Sequence, residues 1–107
     1  MTNPSARTFL EDLQRTPVIA ILRGIPPDDI LEVADGLVEA GVAFVEIPLN
    51  SPDPFTTIGR AAEAFAPRQD VHIGAGTVVR ADDVDRVRDA GGTYIVSPNL
   101  NAAVVRR

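Results

Sequence analysis

The sequence predicts an α/β fold in which about four strand–helix units follow a short leading helix. Three observations predict it. Short apolar runs rich in β-branched residues alternate with longer segments whose apolar residues recur at helical spacing. Each short run is closed by glycine, proline or serine. The runs start at residues 18, 44, 71 and 94, which are 26, 27 and 23 residues apart. Eight such units would take about 200 residues, the low end for a (β/α)8 barrel. The same repeat also suits an open doubly wound sheet. Four parallel strands alone leave an unpaired edge on each side and an apolar layer uncovered. Residues 1–107 therefore read as one partial domain, half of a larger sheet.

A short leading helix runs through Phe9, Leu10 and Leu13 and caps the assembly. Val18–Leu22 follows Pro17 and is β-branched at Val18, Ile19 and Ile21, which predicts a buried strand closed by Arg23-Gly24. Asp28–Ala40 places Ile30, Ala34, Leu37 and Val38 on one helical face, with Pro27 and two aspartates at its start and Gly41 after its end. The second strand is Phe44–Ile47, closed by Pro48. Phe55, Ile58, Ala62 and Phe65 repeat the helical stripe over 54–66, and Pro67 stops it. Val71–Ile73 is a third strand closed by Gly74. Ala81–Ala90 buries Val84 and Val87 and carries aspartates early and arginines late, as a helix dipole favours. Tyr94–Val96 is the fourth strand, and a further helix begins after Asn101. Strands apolar on both faces suit a parallel sheet covered on both sides.

The composition excludes several function classes. With 45% apolar and 23% charged residues the chain is neither disordered nor low-complexity. Ten basic residues against 15 acidic ones give a net charge of −5, with no basic run. Nucleic acid and anionic membrane surfaces are poor partners for such a surface. The absence of cysteine removes disulfides, thiolate metal sites and cysteine nucleophiles, and the lone His72 cannot supply a zinc site by itself. No metal or cofactor is expected. No apolar run approaches the roughly 20 residues of a membrane span, and no targeting segment heads the chain, so the expected location is cytoplasmic. All ten basic residues are arginine. With no lysine, no side chain here can form a Schiff base.

In parallel α/β folds the chemistry gathers at the carboxyl ends of the strands. Those ends read Arg23-Gly24, Glu46 through Asn50, Gly74-Ala75-Gly76-Thr77, and Ser97-Pro98-Asn99. Glu46 is the sharpest signal, a carboxylate inside an apolar strand. Alternation sends Val45 and Ile47 toward the helices and Glu46 to the other face. A buried carboxylate must be paired or hold a raised pKa suited to acid–base work; Arg23 on the adjoining strand is the partner that would make it merely structural. Arg23 is equally a fork for an anionic group. Gly74-Ala75-Gly76-Thr77 is not a dinucleotide fingerprint, because Val79 stands where the third glycine or alanine belongs. Its glycines would let backbone approach a ligand, with the Thr77 hydroxyl as donor. His72 reads as a packed core histidine. Asn50 and Ser51 suit ligand contacts or the turn before Pro52.

Four segments in this order, Ile19–Gly24, Val45–Pro52, Ile73–Val78 and Ile95–Asn99, resemble the 2-keto-3-deoxy-6-phosphogluconate/4-hydroxy-2-oxoglutarate aldolase family, and within it the 2-dehydro-3-deoxy-6-phosphogalactonate branch. The likeness runs from about Val18 to Arg107. It implies a (β/α)8 barrel, usually a homotrimer, needing no metal. Such class I aldolases cleave a phosphorylated 2-keto-3-deoxy sugar acid to pyruvate and glyceraldehyde 3-phosphate through a lysine iminium. By resemblance Glu46 is the glutamate that moves protons through a water, and Arg23, Asn50, Gly74, Thr77 and Pro98 lie at substrate-binding positions. The phosphogluconate branch carries arginine where Asn50 stands, whereas Arg23 matches an arginine of the phosphogalactonate branch.

The departure from the family is the missing lysine, which the resemblance places on a strand beyond residue 107. A truncated chain, inactive alone, is the expectation. The alternatives are another phosphosugar (β/α)8 enzyme, such as an epimerase or synthase, and a non-catalytic half-barrel that assembles with a partner.

Overall fold

The computed structural model describes residues 4–106, with side chains from Phe9 onward. Met1–Asn3 and Arg107, the ends of the expected 1–107 unit, lie outside the described residues. The order of elements is α1 (Pro4–Arg15), β1 (Ile19–Ile21), α2 (Ile30–Glu39), β2 (Phe44–Pro48), α3 (Pro54–Phe65), β3 (His72–Gly76), α4 (Ala81–Ala90), β4 (Tyr94–Ile95) and α5 (Ala102–Val105). A 3-10 turn at Pro27–Asp29 leads into α2. The four strands form one parallel sheet in sequence order. This is the α/β succession that the alternating apolar pattern predicts.

Period-2 alternation divides the sheet into two unlike faces. Val45, Ile47, Ile73 and Ala75 point to the helices and join Ile30 and Ala34 of α2, Ile58, Ala61 and Phe65 of α3, and Val87 of α4 in the core. Full burial of each large aliphatic side chain there contributes about 1.5–3 kcal/mol. The other face carries Phe44, Glu46 and Pro48 from β2, His72, Gly74 and Gly76 from β3, and Tyr94 from β4. It is only partly covered: Ile21 of β1 stands 56% exposed. This is the uncovered apolar layer expected of four parallel strands standing alone.

Element ends also differ from expectation. The third strand does not stop at Gly74; it continues to Gly76 because Ile47 and Pro48 of β2 offer partners to Ala75 and Gly76. His72 consequently begins the strand instead of sitting mid-strand. The flanking strands are shorter than their apolar runs, with β1 at three residues and β4 at two.

α1 seals the amino-terminal end of the sheet. Phe9 meets the Phe44 ring edge-on at 5.0 Å and the His72 ring at 5.1 Å, and His72 stacks on Phe44 at 4.8 Å. Asp12, one turn after Phe9 on the same helical face, accepts from Arg15 and lies 2.8 Å from His72 Nε2. His72 is thus a packed, paired histidine, as its reading from sequence held.

Candidate active site

The carboxyl ends of β1, β2 and β3 meet at the opposite end of the sheet. Backbone bonds join them there: Leu22 N–H donates to Glu46 O at 2.9 Å, and Leu49 N–H to Gly76 O at 2.9 Å. Two side-chain bonds tie the first loop to the second. Arg23 Nη1 donates to Asn50 Oδ1 at 3.1 Å, and the Gly24 amide donates to Ser51 Oγ at 3.2 Å. Gly24 adopts φ +77°, a conformation that suits glycine, so the chain can turn back over Ser51.

Glu46 lies just below this junction, and the residue is 6% exposed. Among the described residues no donor reaches its carboxylate and no guanidinium lies within ion-pair distance. The ion pair with Arg23 that would make Glu46 merely structural is therefore absent, because Arg23 is committed to Asn50. Burial raises the Glu46 carboxyl above its ordinary range, and the nearby positive charge of Arg23 offsets part of that rise. No fully buried polar side-chain atom among the described residues lacks a partner, so the Glu46 oxygens keep some contact with solvent. A carboxyl held this way keeps its proton to higher pH than an exposed one and can exchange it directly or through a water.

Gly76 makes room for it. A Cβ on Gly76 would collide with Glu46 Oε2 and come 2.5 Å from its Cδ. The next residue, Thr77, turns the chain at φ +57°, a strained conformation for a β-branched residue. Its half-buried hydroxyl makes no hydrogen bond among the described residues. Gly74 is occupied differently: the Tyr94 ring lies where its Cβ would be, 2.5 Å from Cδ1 and Cε1. That glycine accommodates a side chain of its own chain. Pro98 is exposed in the loop after β4.

One residue of the site escaped the sequence reading. Tyr94, read only as a strand residue, crosses β3 and donates from its hydroxyl to Val45 O at 2.7 Å. Burial, with the Glu46 charge beside it, pushes its phenol up from the usual value. A glycine inside a strand pattern signals such a close approach, although it does not say which side chain makes it. Ser51 was left between contact and turn; its buried hydroxyl is a loop tie.

An acid without a partner at the loop end of a parallel α/β sheet narrows the field to proton-transfer chemistry, and comparison with known proteins decides the family. Residues 10–107 match the aldolase family described as "KDPG and KHG aldolase". The chain belongs to this family. It is 49% identical over 90 residues to the "Probable 2-dehydro-3-deoxy-6-phosphogalactonate aldolase" of Rhizobium meliloti strain 1021, covering 84% of this chain and 42% of that protein. Among solved structures it superposes on "Native KDPGal structure" with a TM-score of 0.79 and 42% identity, over 84% of this chain and 43% of that one. It also superposes on the KDPG aldolase of Legionella pneumophila "with pyruvate captured at low pH as a covalent carbinolamine intermediate", with a TM-score of 0.76 and 25% identity, over 98% and 47% of the two chains. The chain thus spans less than half the length of the relatives it matches. KDPG aldolases are TIM barrels, so the four βα units correspond to part of a (β/α)8 barrel and not to an open doubly wound sheet. No helix among the described residues is long and apolar enough to cross a membrane.

Proposed function

We propose that this chain supplies the proton-transfer half of a class I aldolase acting on 2-dehydro-3-deoxy-6-phosphogalactonate, which yields pyruvate and glyceraldehyde 3-phosphate. The observation that carries the reading is the buried Glu46 carboxyl, raised by its surroundings and without a donor or ion-pair partner at the strand end. The amine that attacks the C2 carbonyl comes from outside residues 1–107, since none of the ten basic residues is lysine. Glu46 then serves as the general base that takes the C4 hydroxyl proton as the C3–C4 bond breaks, and as the acid that returns a proton to the pyruvate carbon.

Arg23 and Asn50 support the galactonate branch. By resemblance, the arginine at position 50 of the gluconate branch is replaced here by asparagine, while Arg23 is an arginine of the galactonate branch. The two positions are hydrogen-bonded neighbours at 3.1 Å, so the guanidinium comes to one neighbourhood from a different strand. In this reading the fork binds an anionic or hydroxyl group of the sugar acid, the Thr77 hydroxyl and Pro98 line the pyruvate end, and Gly74 contributes by seating the Tyr94 ring. A trimer in the cytoplasm is the family's expected setting.

The test is to join residues 1–107 to the remaining residues of the Rhizobium meliloti relative and follow pyruvate release from 2-dehydro-3-deoxy-6-phosphogalactonate and from its gluconate epimer. Release from the galactonate substrate, lost in E46Q, is the expected result. A folded product that releases no pyruvate from either epimer overturns the reading.

A further inference from the structure

We propose that Tyr94 is a positioning residue for Glu46, and that Gly74 and Gly76 form a two-seat saddle on β3 that arranges the pair. The inference rests on the reading of Glu46 as the proton carrier and deepens it.

Gly74 and Gly76 lie two residues apart on one strand, hence on one face. Glu46 approaches that face from β2 and Tyr94 from β4, and both have Gly74 as their register partner. One seat cannot hold two side chains. The Tyr94 ring takes the place above Gly74, and the Glu46 side chain lies instead over Gly76, one step toward the loops. Alanine at either glycine would remove its seat, because the added Cβ would strike the ring at 2.5 Å or the carboxylate outright.

The ring is fixed from three sides. Its hydroxyl bonds the carbonyl of Val45, the residue preceding Glu46, at 2.7 Å. Phe9 packs at 5.5 Å and Phe44 at 6.2 Å between ring centroids. Tyr94 therefore forms an apolar floor beneath the carboxyl, which keeps water away from its underside and holds it toward the open end. Removing the floor should let the carboxylate fall back over Gly74 and become hydrated.

The experiment is a carboxyl 13C NMR titration of the completed enzyme, residues 1–107 joined to the remaining residues of the Rhizobium meliloti relative, wild type against Y94F, Y94L and Y94A, with Glu46–Gly76 nuclear Overhauser contacts recorded alongside. Y94F keeps the ring and should keep both the wild-type Glu46 midpoint and the contacts. Y94L and Y94A should shift the midpoint down toward the ordinary carboxylate range and weaken the contacts, alanine most. Y94L supplies the result if Y94A does not fold. An unchanged midpoint with unchanged contacts in the folded variants overturns the proposal, as does an ordinary midpoint in the wild type. Failure of the functional reading looks different: E46Q would keep its turnover in the completed enzyme while Tyr94 still controls the titration.

Discussion

The two ends of the sheet hold the same kind of residue and treat it in opposite ways. At the amino-terminal end His72 begins β3 and is given everything a buried polar group needs: Asp12 at 2.8 Å, a stacked Phe44 and the edge of Phe9. At the carboxyl end Glu46 sits within β2, equally buried, and receives neither a donor nor an ion-pair partner among the described residues. Its oxygens are left to what solvent reaches them, and burying a charge without a partner costs stability. The fold pairs one and leaves the other open, and under the proposed function this separates a stabilising end from a reactive one, as parallel α/β barrels divide their two faces. Strand-borne charge alone does not identify a catalytic group. What makes Glu46 the candidate is that Arg23 stands near enough to lower its pKa and yet bonds Asn50 instead.

The sharpest way to break the comparison is to neutralise the open acid. E46Q in the completed enzyme should lower kcat by about 10²- to 10⁴-fold, the range for loss of a general acid–base, with an unchanged circular dichroism spectrum. At the other end, D12A leaves His72 buried without its partner and should cost about 1–3 kcal/mol in urea denaturation. Its turnover, measured where the variant is fully folded, should stay near wild type.

The pH dependence sharpens the contrast further. Because burial raises the Glu46 carboxyl, the folded chain keeps its proton at pH values where the unfolded chain releases it. That contribution is complete below the unfolded value and is lost as pH rises through the folded one. Wild-type stability should therefore decline across that window relative to E46Q, whose neutral amide does not titrate; parallel curves would contradict the assignment. The smallest effect belongs to Arg23. Its charge lowers the Glu46 value, so R23Q should move the Glu46 NMR midpoint upward, opposite in direction to Y94A.

Much of this arrangement was legible from the residues. The strand and helix order followed from periodicity, because a strand apolar on both faces and a helix apolar on one leave different patterns. Glu46 was visible as a carboxylate interrupting such a strand, and His72 as a core residue. What lay beyond reach was pairing across distance. Asp12 and His72 are 60 residues apart, and the only local hint was an acidic residue on the apolar face of α1, beside Phe9 and Leu13. Arg23 read as either the partner of Glu46 or a fork for an anionic group, and its bond to Asn50 follows only from the geometry of two loops. Tyr94 was hidden because a glycine in a strand announces a close neighbour without naming it. The exposure of Leu100 (91%) was likewise unforeseen, since hydropathy marks what is apolar and not what happens to cover it.

The most direct test of the central claim measures turnover and the urea midpoint together for E46Q and D12A in the completed enzyme. The account predicts that E46Q loses turnover while keeping its midpoint at acidic pH, and that D12A loses midpoint while keeping its turnover. If D12A impairs turnover of the folded enzyme as severely as E46Q does, or E46Q turns over at the wild-type rate, the division between a structural end and a reactive end is wrong.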